Sequence, residues 1–269
     1  MFYQAKNGTI PIENTKIDYI TFGTGPRHLV MLPGLGEGLT SISGTAIPFA
    51  ILYRMFAKDF RVHVFGRRRV LPEHFSTKEI AEDVYASMRY LGIEKANVAG
   101  ISMGGMIAQH LALEHPEAVE KLALVVTCAR DNDTLSDSIT LWMEQARAGD
   151  YKALMIDNAK RMYSDAYLRK NLWMFHLLGN FGKPRSFARF LTMAQACLDH
   201  DAYDSLEKIT APTLVIGGLL DRCLTGAASE EIAEKIPGAQ LVMYSDYGHA
   251  LYEEAKDFNR RLLDFFAKP

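Results

Sequence analysis

Short apolar runs alternate along this chain with segments whose apolar residues recur every three or four positions. Residues 2–7 and 16–22 read as short strands, with Gly8 and Gly23-Thr24-Gly25-Pro26 as turn signals. His28-Leu29-Val30-Met31-Leu32 is nearly all apolar, which suits a strand covered on both faces. A glycine-rich loop, Pro33-Gly34-Leu35-Gly36-Glu37-Gly38, follows it, then a helical pattern over 47–58 and a strand at Arg61-Val62-His63-Val64-Phe65. Ser76-Thr77-Lys78-Glu79 reads as a capping box that opens a helix running to about Leu91, where Gly92 stops it. Ala96–Gly100 is the next strand, 103–114 the next helix, and Lys121–Thr127 a further buried strand. From about Ala129 to Leu206 the β-branched runs vanish and aromatic residues such as Trp142, Trp173 and Phe190 fall on helical spacings. Strand patterns resume at Pro212–Gly217 and Gln240–Tyr244, and a last helix is expected from about Glu253 to Phe266. Alternating strands and helices predict an α/β fold with a mostly parallel sheet covered on both faces. The pattern divides the chain into a core from 1–128 and 206–269 with a helical cap inserted at 129–205.

Composition narrows the class. With 269 residues the chain is long enough to bury roughly 70–75% of its unfolded surface. It is 48% hydrophobic with a net charge of −2, so no broad pull on nucleic acid or on an anionic membrane is expected. Arg67-Arg68-Arg69 is the one basic run, and it reads as a solvated loop. Three scattered cysteines, Cys128, Cys197 and Cys223, argue against a disulfide framework or a zinc site and suit a reducing, cytoplasmic setting. No secretory leader and no run of 18 apolar residues is visible.

Gly100-Ile101-Ser102-Met103-Gly104 carries the strongest chemical signal. A serine on a sharp strand-to-helix turn needs small neighbours because the backbone there is crowded. The pattern alone arises by chance in roughly one chain of this length in fifteen. Here a buried strand ends just before Ser102 and a helix begins just after, which is the context the pattern requires. A serine hydroxyl is a weak nucleophile and needs a base. Of eight histidines, His28 and His63 read as structural strand positions, and His110 and His115 lie on the helix after Ser102, directed away from its start. His74, His176 and His200 lie in loop or insertion segments where exposure is the default. His249 stands between the final strand and the final helix, at the edge where open α/β sheets place their chemistry. The base needs a carboxylate to fix its tautomer. Asp221, after the strand Thr213–Gly217, is the best placed, with Asp246 the runner-up by nearness in sequence. Acyl transfer also needs donors for a developing oxyanion. The N–H of Met103 supplies one, and the N–H of Leu35, between glycines, supplies the second.

On these residues the chain resembles the α/β-hydrolase superfamily, in its small, capped esterase, lactonase and cofactor-free haloperoxidase-like branch. The order Ser102, Asp221, His249 matches the family's nucleophile, acid and base, and His115–Leu122 resembles its link into the sixth strand. The resemblance covers nearly all of the chain outside 129–205 and implies an eight-stranded sheet. Two positions depart from it. Pro33-Gly34 stands where the family usually has His-Gly, and Gly66-Arg67-Arg68-Arg69 where it often has Asp-x-Arg-Gly. Serine at the elbow disfavours the relatives with an aspartate nucleophile.

The expected activity is serine hydrolysis of a small, partly apolar ester through an acyl-enzyme, with a small-molecule substrate and no metal or organic cofactor. Lactonase, thioesterase and carbon–carbon hydrolase use the same triad. A non-catalytic binding protein on the same scaffold is the rival from another class. Gly34-Leu35-Gly36-Glu37-Gly38-Leu39 begins like a dinucleotide fingerprint but lacks the final glycine or alanine. A homodimer is compatible with the sequence.

Overall fold

The computed structural model describes residues 2–268. The chain opens with β1 (Lys6–Ile12) and β2 (Thr15–Phe22), which pair antiparallel as a hairpin. Gly8 is therefore not a turn. It sits inside β1, where a side chain would collide with the ring of Tyr19 on the paired strand. The first strand is displaced from 2–7 for that reason: the tight turn falls at Glu13, whose φ is 47°.

β3 (Arg27–Leu32), α1 (Ala46–Leu52), β4 (Phe60–Arg68) and α2 (Thr77–Tyr90) follow, then β5 (Ala96–Ile101), α3 (Met103–Glu114) and β6 (Val119–Val125). Four helices separate β6 from the next strand: α4 (Asp133–Arg147), α5 (Tyr151–Met162), α6 (Asp165–Leu178) and α7 (Ala188–Leu198). β7 (Thr213–Gly218), α8 (Ala227–Lys235), β8 (Gln240–Tyr244), α9 (Leu251–Glu254) and α10 (Phe258–Ala267) complete the chain. The helix expected over 47–58 is shorter, because the chain tightens at Tyr53 into a 3-10 turn over Arg54–Phe56. Tyr53 and Phe56 turn inward there, leaving Ile51, Leu52 and Met55 outside. The helix expected from Glu253 to Phe266 is two, divided by extended backbone at Ala255.

The eight strands form one sheet in the order β1-β2-β4-β3-β5-β6-β7-β8. β1–β2 and β2–β4 pair antiparallel, and every pair from β4 to β8 is parallel. Both faces are covered, so the inner strands have almost no polar positions. Alternate residues feed opposite cores. Val30, Leu32 and Val98 pack toward α2, α3 and α8, while Leu29, Met31 and Ala99 pack toward α1 and α10. Each fully buried valine or leucine there contributes about 1.5–3 kcal/mol.

The capping box is formed: Glu79 N–H donates to Ser76 Oγ, and Ser76 N–H donates to Glu79 Oε2 at 2.8 Å. α4, α5 and α6 are each started by a side-chain cap, from Asn132, Asp150 and Ser164. These four helices pack against the loop after β3, chiefly through α7, and so lie over the end of the sheet that carries Ser102. Among the described residues no helix is long and apolar enough to cross a membrane.

Candidate active site

β5 ends at Ile101 and α3 begins at Met103, so a single residue makes the turn. Ser102 does so at φ 55°, ψ −124°, a conformation that costs about 1–3 kcal/mol for a residue with a side chain. Hydrogen bonds to both its N–H and its C=O hold it. Ser102 N–H donates to Val125 O at 2.9 Å, and Ser102 O accepts from Gly105 N–H at 2.7 Å and Thr127 Oγ1 at 2.8 Å. The neighbouring glycines are obligatory by contact: a Cβ on Gly100 would stand 2.7 Å from Gly105 Cα, and one on Gly104 would strike the carbonyls of Leu32 and Pro33.

Asp221 and His249 meet at the same sheet edge, beyond the C-terminal ends of β7 and β8. His249 Nδ1 and Asp221 Oδ2 are 2.8 Å apart, and both side chains are buried. The other carboxylate oxygen, Oδ1, accepts the backbone N–H groups of Cys223 at 2.7 Å and Leu224 at 3.0 Å. The carboxylate is thus oriented by the turn that follows it before it meets the imidazole. Asp246, the alternative acid, is exposed and is not the partner of His249. No hydrogen bond joins Ser102 Oγ to His249 among the described residues.

Leu35 opens a 3-10 turn and Met103 opens α3, so neither N–H has an acceptor within its own element. Gly34 lies against the serine: a Cβ there would be 3.3 Å from Ser102 Cβ and 3.7 Å from Oγ.

The basic run is not a solvated loop. β4 continues through Arg68, and Arg67 is only 2% exposed. Its Nη2 donates to Pro33 O at 2.7 Å and its Nη1 to Phe65 O at 3.2 Å, so it holds the loop that carries Leu35 from below. Burial pushes Arg67 down to about 10, which leaves it charged at neutral pH. Glu37, buried in the same loop, accepts from Arg189 Nη2 on Oε1 at 2.7 Å and on Oε2 at 2.6 Å, and from the backbone N–H of Arg67 on Oε1 at 3.4 Å. Burial raises the Glu37 carboxyl, while Arg189 and Arg67 oppose that rise. Arg189 belongs to α7, so this ion pair ties the inserted helices to the loop. Arg68 is held by Asp83 and Glu13, and Arg69 by Asp18. The sequence reading missed this contact, and the one signal for it is a charged residue, Glu37, in an otherwise apolar and glycine-rich loop.

His28 Nδ1 and His63 Nε2 face each other at 3.1 Å within the sheet. His74 and His176 are exposed. His200 is buried, against expectation, because its ring bridges Thr77 Oγ1 on α2 and Gln109 Oε1 on α3. Burial pushes both His63 and His200 down to about 3.

Asp221, Cys223 and His249 have ligand-type atoms within 4.8 Å of one another. They make a poor metal site: Asp221 already accepts three hydrogen bonds, and burial raises the Cys223 thiol well above its ordinary value, away from thiolate.

Two cavities flank the elbow. One of about 550 Å³ runs under Pro33, Gly34 and Ile101 between the sheet, α1 and α10. The other, of about 300 Å³, lies between Leu35 and Gly36 on one side and α4–α7 on the other. Glu253 borders both.

The profile of the alpha/beta hydrolase fold family matches residues 27–256. The chain is 30% identical over 257 residues to a 2-hydroxy-6-oxononadienedioate/2-hydroxy-6-oxononatrienedioate hydrolase of Cupriavidus pinatubonensis, covering 90% of this chain and 88% of that one. It is 24% identical to 3-oxoadipate enol-lactonase 2 of Acinetobacter baylyi, with 93% of each chain covered. Among solved structures it is similar to MGS-M2, an alpha/beta hydrolase enzyme from a Medee basin deep-sea metagenome library. That match has a TM-score of 0.87 at 24% identity and covers 97% of this chain and 98% of the other. With the sheet order, the serine elbow and the matched profile in agreement, this chain belongs to the alpha/beta hydrolase fold family.

Proposed function

We propose that this protein is a serine hydrolase that cleaves a small, partly apolar carboxylic ester or lactone through an acyl-enzyme. The observation that carries the reading is the buried His249–Asp221 pair at 2.8 Å, set at the sheet edge where Ser102 occupies its strained turn. The similarity to an enol-lactonase and to a hydrolase of a dioate supports attack at a carbonyl as the reaction class.

In this mechanism Asp221 holds the Nδ1 proton of His249 and leaves Nε2 free to accept a proton. Ser102 Oγ attacks the carbonyl carbon as its proton passes to Nε2. The N–H groups of Leu35 and Met103 stabilise the tetrahedral oxyanion. His249 then protonates the leaving alkoxide, and the acyl group stays on Ser102. Water enters, gives its proton to His249 and attacks the acyl carbon, and the proton returns to Ser102 as the acid departs. Ile101, the residue before the serine, and Gly34, which lies against it, line the larger cavity, and Leu35 lines the smaller one.

A fluorophosphonate probe tests the reading. One adduct, on Ser102 and absent from Ser102→Ala, is the expected result, with turnover of short esters lowered by several orders of magnitude in the variant. Equal labelling or near-normal turnover of Ser102→Ala would overturn it.

A further inference from the structure

The reading of Ser102 as nucleophile leaves the one carboxyl among the described lining residues of the two cavities without a role. Glu253 stands four residues after His249, on α9. Two contacts to the inserted helices set its position. Tyr163 Oη donates to Glu253 Oε2 at 2.6 Å. Next to it, Glu254 accepts the N–H and the hydroxyl of Ser164 at 3.0 and 2.6 Å, fixing α9 against the start of α6. Among the described residues Glu253 Oε1 accepts no hydrogen bond, and the side chain keeps open surface where the two cavities adjoin it.

The rest of the lining makes that carboxyl conspicuous. The larger cavity is walled by side chains such as Met31, Phe49, Leu52 and Leu262. The smaller one is walled by Leu39, Trp142, Met155 and Phe175, with Thr40, Tyr151 and Asn158 as neutral polar groups. Among the described lining residues of both cavities there is no lysine, arginine or histidine. The groups acting on Glu253 are burial, which raises it, Tyr163, which lowers it, and the like charge of Glu254. Its charge is felt across the larger cavity: the Tyr53 hydroxyl there is pushed up to about 12, by burial first and then by Glu253.

A carboxylate brought into either cavity would find no cation to meet it and a like charge already in place. Like charges brought together at a site still partly open to water repel and weaken binding. A hydroxyl or amide N–H would instead find an unused acceptor in Oε1, and a hydrogen bond to a charged acceptor is among the stronger ones.

We propose that Glu253 sets the charge class of the substrate: the site takes an uncharged ester or lactone bearing a hydroxyl or N–H donor opposite Glu253, and excludes one that carries a free carboxylate. This rests on the assignment of the two cavities as the places where the acyl and alcohol groups of the Ser102 reaction lie.

The test uses two esters of the same length and shape, the mono-p-nitrophenyl ester of adipic acid and its primary-amide analogue. They differ only in a terminal carboxylate against a terminal carboxamide. At about pH 8 the wild-type protein is expected to prefer the amide by on the order of 100-fold in kcat/KM. Glu253→Gln should narrow that preference to within about tenfold, mostly through a lower KM for the carboxylate. Tyr163→Phe, which leaves the charge in place, should keep the wild-type ratio. A preference below about threefold in the wild type, or one that Glu253→Gln leaves intact, would overturn the proposal. Calorimetric affinities of Ser102→Ala for the same two uncleaved esters separate this idea from the catalytic one. If neither ester is turned over, the hydrolase reading fails, while the ratio of affinities in Ser102→Ala, with and without Glu253→Gln, still decides the charge class.

Discussion

Asp221→Asn changes one atom pair, and the structure dictates how the new amide must lie. Oδ1 of Asp221 accepts two backbone N–H groups, from Cys223 and Leu224. An amide nitrogen cannot accept them, so the asparagine oxygen must take that place and its NH₂ must face His249. The NH₂ is a donor, and so His249 Nδ1, now 2.8 Å from it, must become the acceptor. The imidazole proton then moves to Nε2, the atom that has to receive the proton of Ser102. The reversed tautomer is expected to lower kcat by about 10⁴-fold, or about 5.5 kcal/mol of activation free energy. Stability should change little, because the turn keeps both backbone bonds and the site keeps its shape. Asp221→Ala is the contrast: it removes those acceptors as well, and should lower the unfolding free energy by about 1–3 kcal/mol besides losing activity. The assay is hydrolysis of a short p-nitrophenyl ester by each variant, with urea unfolding of the same preparations. Activity of Asp221→Asn within tenfold of wild type would refute the argument, since it would mean that the proton on His249 is not controlled from Nδ1.

Stability should fall with acid through two histidines far from the elbow. His63 and His200 are held near 3 in the folded protein against 6.5 when exposed, so between those values the unfolded chain binds more protons and stability is lost as pH falls. Linkage gives about 2 kcal/mol per histidine between pH 7 and pH 5, and urea midpoints at the two pH values, with His200→Gln as a variant that removes its share, measure it. Two glycines of the loop after β3 should respond differently. Gly34→Ala places a methyl 3.3 Å from Ser102 Cβ and should lower kcat/KM at least about tenfold in the same ester assay, whereas Gly36→Ala meets nothing within 4 Å and should leave the urea midpoint as in wild type.

What the chain announces by itself is what depends on neighbours in sequence. The inner strands are legible because a strand covered on both faces must be apolar throughout, as in Leu29–Leu32 and Leu122–Val125. The elbow is legible because a serine at φ 55° demands glycines two positions away on either side. The strand-then-loop positions of Asp221 and His249 are legible because parallel strands place all their C-terminal ends at one edge. Charged and polar side chains were not legible in this way, since their environment is made by residues far along the chain. Arg67 in a basic run reads as solvated until β4 is seen to carry it beneath Pro33, 34 positions earlier. Glu37 finds Arg189 only when α7 folds back over the loop, and His200 is buried only because α2 and α3 lie side by side to receive its ring. Glu253 likewise becomes a feature of the site only once two cavities close on it from different faces of the fold. Apolar patterning is a local statement about burial, whereas the cost of burying a charge is met only by a partner, and partners are chosen by tertiary contact.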